Sequence, residues 1–283
     1  MDLGTVFTWL VPLPPLLAFF VIILLTNRSK ALSHSIAIGA IVISLILSWT
    51  IVFRAITTTH FGEHVIASSV AWLPTGATAL RMGVLVDPLT VVMLFFVPLA
   101  CFSIILYSVG YSNYGKSADE RDVPGNPPHH GVEPLYSRFF AFLSLFAGAM
   151  LVLTVSDNLL MLFIGWELMG LCSYLLIGFW YGRNYRDSNQ ITPRQAAVKA
   201  FMTTRVADVV MLLGISYLYA QTGTLSFREI FFDEEIMRSL VHTPSVIGGL
   251  AVSHLIGLLL FAGTVGKSAQ FPLHVWLPDA MEG

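Results

Sequence analysis

Long apolar runs separated by short polar stretches dominate the sequence. A helix needs about 20 apolar residues to cross a bilayer, and seven stretches approach or exceed that length. The predicted spans are Leu3–Leu25, Ser33–Phe53, Pro88–Gly110, Arg138–Ser156, Asn158–Tyr181, Gln195–Ala220 and Ile247 to about Gln270. The pattern therefore predicts an all-α polytopic membrane protein. Pro12, Pro14 and Pro15 are expected to kink the first span or mark its start.

The first span is expected to be permanent rather than a cleaved signal peptide. Only Asp2 stands where a signal peptide carries basic residues, the apolar run is too long, and no small-residue cleavage site follows.

Two extramembrane pieces are predicted between the spans. His64–Val86 holds β-branched residues around Leu73-Pro74-Thr75-Gly76, which predicts a β-hairpin with a Pro-Gly turn. The loop 111–137 is polar and rich in proline and glycine, and its adjacent histidines lack the helical spacing of a metal site. We divide the chain into an N-terminal three-span region, 1–137, which includes the hairpin and the polar loop, and the first part of a truncated helical bundle, 138–283.

The connections between the predicted spans alternate between the two sides of the membrane, and lysine and arginine are distributed unequally between these sides. The basic side, defined by the loops 27–30, 111–137 and 182–194 with their flanking residues, carries nine of them: Arg28, Lys30, Lys116, Arg121, Arg138, Arg183, Arg186, Arg194 and Lys199. The opposite side carries four: Arg54, Arg81, Arg228 and Arg238. The positive-inside rule therefore predicts a cytoplasmic basic side and an N-terminus outside.

Composition narrows the class of protein further. Of the 283 residues, 55% are hydrophobic and 11% are charged, with a mean hydropathy of +0.75. Soluble domains carry roughly 25% charged residues, so a water-soluble enzyme is excluded and so is a disordered chain. The formal net charge of −2 gives no basic patch for nucleic acid. Cys101 and Cys172 stand inside apolar runs and form neither a disulfide framework nor a metal motif.

Ionisable residues inside the spans are the candidate functional groups, because a lone charge at mid-bilayer costs roughly 2.5–3.5 kcal/mol. Glu167 lies well inside the fifth span with apolar residues on both sides, and the small residues Gly165, Gly170 and Ser173 allow another helix to approach. The alternative for Glu167 is a static acid satisfied by one hydrogen bond.

Lys267 closes the last apolar run and is followed by Pro272, after which the chain stays largely apolar. This pattern predicts a broken seventh helix with a second half-helix beyond the proline, which is tolerated only where protein or a water path surrounds it. The alternative is a lysine that snorkels at a helix end. His274, just after the break, is a candidate proton relay or an interfacial histidine.

Arg205 and Asp208 are three residues apart on the sixth span and therefore share a helix face. They form either a structural ion pair or part of a functional site. Asp208 and Glu167 are both possible partners of Lys267, and the sequence does not choose between them.

Five motifs together resemble the antiporter-like L subunit (subunit 5) of respiratory complex I. They are Asp157–Leu160, Gly165–Glu167, Gly170–Trp180, Thr204–Asp208 and Gly266–Gly283. The last is the most specific, and the resemblance runs over essentially the whole chain. It implies a membrane-arm subunit of NADH:quinone oxidoreductase that couples quinone reduction to proton translocation without a cofactor of its own. NADH, FMN, Fe–S clusters and quinone would belong to partner subunits.

The resemblance also implies roles for five residues. Glu167 resembles the family's essential acid, Lys267 the lysine on the broken helix that pairs with it, and Arg205 and Asp208 its charged pair. His274 matches a histidine found in many members. We hypothesise that Lys267 carries the proton and that Glu167 tunes Lys267. Asp208 would be the competing partner of Lys267, and Arg205 would hold Asp208 in place.

Two departures and one alternative accompany this resemblance. The family is about twice as long, so the chain is interpreted as a fragment that translocates nothing alone, and the loop 111–137 is longer than expected. The alternative is the large subunit of a multisubunit cation/proton antiporter.

The expected partners are other complex I membrane subunits, especially a neighbouring antiporter-like subunit, and the lipid bilayer. The expected location is an energy-transducing membrane, in the first place a bacterial plasma membrane.

Overall fold

The fold is known from a computed structural model that describes residues 3–62, 65–75, 78–187 and 189–283. In chain order its elements are α1 (Leu3–Leu10), α2 (Leu13–Val21) with a π-helical turn (Ile22–Thr26), α3 (Lys30–Thr57), β1 (Ile66–Thr75), β2 (Thr78–Val86), α4 (Pro88–Tyr111), α5 (Tyr136–Val155), α6 (Leu159–Ile177), α7 (Pro193–Thr222), α8 (Phe227–Phe232), α9 (Glu234–His242), α10 (Val252–Lys267) and a 3₁₀ helix (Asp279–Glu282). The predicted helical class with a small hairpin is confirmed.

Five segments are long and apolar enough to cross a membrane. They are Gly4–Thr26, Lys30–Thr57, Pro88–Tyr111, Tyr136–Val155 and Leu159–Ile177, and they coincide with the first five predicted spans. The first is interrupted between Leu10 and Leu13, at the prolines, which lack the amide hydrogen that a helix needs.

The sixth and seventh predicted spans differ from these five. Helix α7 is long, at 30 residues, but its charged side chains lower its hydropathy. Helix α10 has only 16 residues, about 24 Å, and begins at Val252 rather than at Ile247. A turn closed by bonds from Ser245 to Leu250 and from Val252 to Thr243 delays its start. Both predicted spans are therefore present as helices, but neither is among the five that are long and apolar enough to cross a membrane by length and composition.

The hairpin forms as predicted and is attached to the end of the bundle opposite the basic side. Strands β1 and β2 pair antiparallel from Ile66↔Val86 to Thr75↔Thr78, with an irregularity at Trp72. His64 and Gly76 of the prediction lie outside the described residues. Asp157, between α5 and α6, donates its backbone N–H to the Gly83 carbonyl at 3.2 Å.

The loop 111–137 folds over the basic side of the bundle. Its Gly125 carbonyl accepts a 2.7 Å bond from Gly182. Glu133 in this loop is buried, and its carboxylate accepts bonds from the Leu135 N–H at 3.1 Å and the Trp180 indole at 3.3 Å. Burial raises the pKa of the Glu133 carboxyl, and these two bonds partly oppose the rise.

Buried apolar side chains form one cluster among α1–α5 and β2 and a second among α6–α10. Large apolar side chains such as Leu24, Phe53 and Phe96 face outward, as in a bundle surrounded by lipid. The division into 1–137 and 138–283 stays a prediction.

Candidate functional site

Three helices, α6, α7 and α10, bring four of the predicted charged residues to one place. Helix α6 begins at Asn158, whose side chain accepts a bond from the Met161 N–H at 2.9 Å. Helix α7 begins with a capping box between Thr192 and Gln195. Such caps fix where each helix begins and therefore which residues meet at mid-bundle.

Glycines let α7 and α10 pack closely beside this site. A methyl group built on Gly263 would meet the Met211 side chain, and one on Gly214 would lie 2.8 Å from the side chain of Leu259. This close packing brings the end of α10, with Lys267, against the middle of α7.

Lys267 ends α10 with its ammonium group directed into the bundle, and its side chain is 15% exposed. Nζ donates to the backbone carbonyl of Trp166, lies 5.1 Å from the centre of the Trp166 ring, and lies 3.9 Å from a carboxylate oxygen of Asp208. The alternative of a lysine that snorkels to the surface is therefore not what the structure has.

Asp208 is the more deeply buried member of this pair, with a side chain 1% exposed. Its other carboxylate oxygen accepts a 2.6 Å bond from the indole N–H of Trp166. One residue of α6 thus contacts both the anion on α7 and the cation on α10.

A second ion pair joins Glu167 to Arg205, next to the first pair along both helices. The Arg205 guanidinium also lies over the Phe201 ring, 4.5 Å from its centre. Both side chains are partly exposed, at 20% for Glu167 and 35% for Arg205.

The structure corrects two predicted contacts. Of the two partners that the sequence left open for Lys267, the structure has Asp208, and among the described residues no ion pair joins Lys267 to Glu167, the partner that the resemblance implies. Arg205 was expected to hold Asp208, but it contacts Glu167 instead. The three-residue spacing fixes a shared face, whereas the rotation of each helix decides which neighbour a side chain reaches.

The chain after Lys267 is irregular, as predicted, but the second half-helix is absent from the described residues 268–278. Turns occupy this stretch, and only the short 3₁₀ helix follows. Pro272 and Pro278 each lack an amide hydrogen, so a regular helix across the segment would lose bonds at both positions. The Trp276 indole donates a 3.0 Å bond to the carbonyl of Gly266 and so satisfies one group at the end of α10.

His274 does not join the charged site. Its ring is exposed and faces Phe271 at 5.9 Å, because the irregular segment turns it away from the bundle interior. Two contacts hold the end of this segment: Asp279 pairs with Lys199, and Glu282 accepts a hydrogen bond from Tyr185.

A small cavity of about 60 Å³ adjoins Lys267 on the side toward the basic loops. Ser173, Tyr174, Thr204 and Trp276 contribute to its lining, which provides hydroxyl groups near the ammonium. A cavity of this size is large enough to hold water.

Sequence reasoning missed the part played by Trp166, Trp276 and Gly170. Trp166 was visible only as the neighbour of Glu167, and its indole direction depends on the rotation of α6. Gly170 was noted as a small residue, and the structure shows that it leaves room for the ammonium of Lys267. A methyl group at this position would lie 2.8 Å from Nζ of Lys267.

The sequence and the fold of the chain are similar to those of known proteins. Residues 156–283 match the family described as "NADH:quinone oxidoreductase/Mrp antiporter, TM", and residues 72–112 match "NADH-Ubiquinone oxidoreductase (complex I), chain 5 N-terminus". The chain is 36% identical to NAD(P)H-quinone oxidoreductase chain 5 of Synechocystis sp., with 100% of this chain and 38% of the relative covered. It is 38% identical to chloroplastic NAD(P)H-quinone oxidoreductase subunit 5 of Mesostigma viride, with 98% and 38% covered.

The fold resembles a chain in the structure of the Mrp complex from Dietzia sp. The TM-score is 0.69 at 22% identity, with 98% of this chain and 25% of that chain covered. This likeness concerns the fold alone. The chain spans well under half the length of each of these relatives.

Proposed function

Because the chain belongs to the family of antiporter-like subunits that includes subunit 5 of the NAD(P)H-quinone oxidoreductases, we propose that it forms part of a membrane-arm subunit that couples quinone reduction to proton translocation. The observation that carries the proposal is the buried ammonium of Lys267, held between Asp208 and the Trp166 carbonyl beside a small cavity whose lining includes hydroxyl groups. A buried ion pair within a membrane bundle is costly and marks a proton or ion pathway by default.

In the proposed mechanism Lys267 carries the proton and its ion pair controls the release. Moving one charge against about 200 mV costs about 4.6 kcal/mol, at about 2.3 kcal/mol per 100 mV. Two unit charges about 4 Å apart attract by about 4 kcal/mol at an effective dielectric of 20. Making and breaking the contact of Lys267 with Asp208 is therefore of the size that pumping requires.

The second pair provides a means of changing that contact. Arg205 lies on the same face of α7 as Asp208 and is bound to Glu167. If Arg205 moved from Glu167 to Asp208, the carboxylate of Asp208 would hold Lys267 less strongly and Glu167 would become free to attract it. The Glu167–Lys267 contact that the resemblance implies would then belong to a second state of the same four residues.

The redox chemistry is assigned to partner subunits. NADH, FMN, Fe–S clusters and quinone would be held there, and a neighbouring antiporter-like subunit would adjoin this one in the membrane. The proposed location is an energy-transducing membrane, in the first place a bacterial plasma membrane, with the basic side in the cytoplasm.

A cation/proton antiporter is the second candidate function, favoured by the fold shared with the Mrp complex and by the family description that names both. The same buried charges would then exchange a cation for a proton without any redox partner.

The deciding experiment uses the full-length protein, tagged in its native membrane and solubilised gently. We expect it to co-purify with NAD(P)H-driven quinone reduction and with flavin and Fe–S spectra. Lys267→Ala should keep the quinone reduction and lose proton uptake, whereas Lys116→Ala, in the exposed basic-side loop, should keep both. Co-purification with cofactor-free membrane subunits alone would favour the antiporter. Full proton yield in Lys267→Ala would end the proposed role of Lys267.

A further inference from the structure

Trp166 contacts both members of the buried pair through three different groups. Its indole N–H donates to Asp208 at 2.6 Å, its backbone carbonyl accepts from Lys267, and its ring centre lies 5.1 Å from the Lys267 Nζ. Its ring also packs against the second apolar cluster, which limits how far it can turn.

The backbone contact between Lys267 and Trp166 depends on the absence of a side chain at one position of α6. A helical carbonyl already accepts the amide hydrogen four residues further along, so a second donor needs room beside it. For Trp166 that position is Gly170, where a Cβ atom would lie 2.8 Å from Nζ of Lys267. Glycine therefore admits the ammonium to the carbonyl of Trp166.

The indole contact involves only the carboxylate of Asp208. An indole N–H donates and never accepts, so it stabilises the Asp208 carboxylate without competing for the lysine. The ring face attracts a cation and not a neutral amine. The contacts of the ring and carbonyl with Lys267 therefore weaken when the ammonium loses its proton, while the bond to Asp208 remains.

We propose that Trp166 is a positioning residue that fixes Asp208 as a stationary counter-charge, so that Lys267 is the member of the pair that moves when its proton leaves. This inference rests on the proposed function of Lys267. In each transfer the proton on Nζ passes to water and leaves a neutral amine, and reprotonation of that amine by water restores the ring, carbonyl and carboxylate contacts.

Other charged or titratable groups lie near the pair, and the test must separate their effects from that of Trp166. Arg205 stands on α7 three residues before Asp208 and is bound to Glu167 on α6. Cys172, also on α6, is buried and close enough to Lys267 to interact with its charge. Substitution of Trp166 leaves all three of these side chains in place.

The experiment compares Trp166→Phe, Asp208→Asn, the double variant and Lys267→Ala in the complete complex in membrane vesicles. Trp180→Phe is the matched control, because its indole also donates to a carboxylate, that of Glu133, away from Lys267. The measurement is protons translocated per quinone reduced, as a function of pH.

We expect Trp166→Phe, which keeps a ring over Lys267 but loses the donor, to lower the proton yield toward that of Asp208→Asn, because the carboxylate of Asp208 loses the hydrogen bond that fixes it. Its pH profile should shift in the same direction as that of Asp208→Asn. The double variant should be no worse than Asp208→Asn alone, because a residue that acts through Asp208 has nothing to add once that charge is gone.

The outcomes separate this inference from the proposed function. An unchanged yield in Lys267→Ala overturns both. A large effect of Lys267→Ala with Trp166→Phe equal to Trp180→Phe overturns the inference alone, and so does an additive loss in the double variant. Trp166→Tyr, which also lacks the indole donor, repeats the test if the phenylalanine variant does not assemble.

Discussion

At the scale of single residues, Gly170 decides how closely Lys267 approaches α6. We predict that Gly170→Ala displaces the ammonium, because the new Cβ would lie 2.8 Å from Nζ. Loss of a hydrogen bond from a charged group costs about 1.5–3 kcal/mol, so the equilibrium constant for this contact should fall about tenfold or more, and the proton yield per quinone reduced should fall with it. Gly257→Ala on α10 is the control, because a Cβ atom there meets no heavy atom within 4 Å. Equal yields in the two variants would contradict the prediction.

Glu133 gives a second residue-scale prediction, which concerns stability and pH. Burial raises the pKa of this carboxyl above its ordinary 4.5, so the folded protein holds its proton more tightly than the unfolded chain does. The resulting stabilisation is full below the ordinary pKa and is lost as the pH rises through the raised value. Glutamine is neutral throughout, so Glu133→Gln should remove this loss.

The measurement for Glu133 is the melting temperature in detergent from about pH 4 to about pH 8. The wild type should lose stability relative to Glu133→Gln across that range. Glu120→Gln, at an exposed position in the same loop, should follow the wild type. Parallel pH curves for all three proteins would show that Glu133 has no such effect.

At the scale of elements, Gly83 controls how the hairpin meets the bundle. We predict that Gly83→Ala destabilises the protein by about 1–3 kcal/mol, as overpacking typically does. An added methyl group would overlap the carboxylate of Asp157, which is 7% exposed and has little room to move. The melting temperature should fall and protease should cut the hairpin faster. Gly39→Ala in α3, where a Cβ meets nothing within 4 Å, should show neither change.

The elements also show how far sequence reasoning reaches. The first five spans and the hairpin follow from apolar runs and turn residues, which act locally. The 16-residue length of α10 and the turns that stand in place of the predicted second half-helix do not, because turns that compete with a helix have the same apolar composition. Likewise, burial cost identified Glu167, Arg205, Asp208 and Lys267, but the pairing among them depends on how α6, α7 and α10 are rotated. His274, for which the sequence left a proton relay and an interfacial histidine open, is exposed in the structure.

At the scale of the whole molecule, cysteine labelling tests the predicted assignment of the two ends of the bundle to the two sides of the membrane. The hairpin and the loop 111–137 are separated by α4, whose 24 residues span about 36 Å. We predict that Val70→Cys in the hairpin reacts with an impermeant maleimide from outside, and that Ser117→Cys reacts only after permeabilisation. Both would be made in a chain with Cys101 and Cys172 replaced by alanine. Phe96→Cys, on the lipid-facing surface of α4, should stay unlabelled.

The labelling result also determines the direction in which the cavity beside Lys267 supplies or releases protons. Its lining residues Tyr174 and Ala200 lie nearer the basic ends of α6 and α7 than Trp166 and Asp208 do, so the cavity extends from Lys267 toward the basic side. With that side in the cytoplasm, the cavity faces the compartment from which a pump takes its protons, and Lys267 is loaded through it. If Val70→Cys were instead protected until permeabilisation, the cavity would face the outer compartment. Lys267 would then release its proton through it, with loading from the end of the bundle that holds the hairpin.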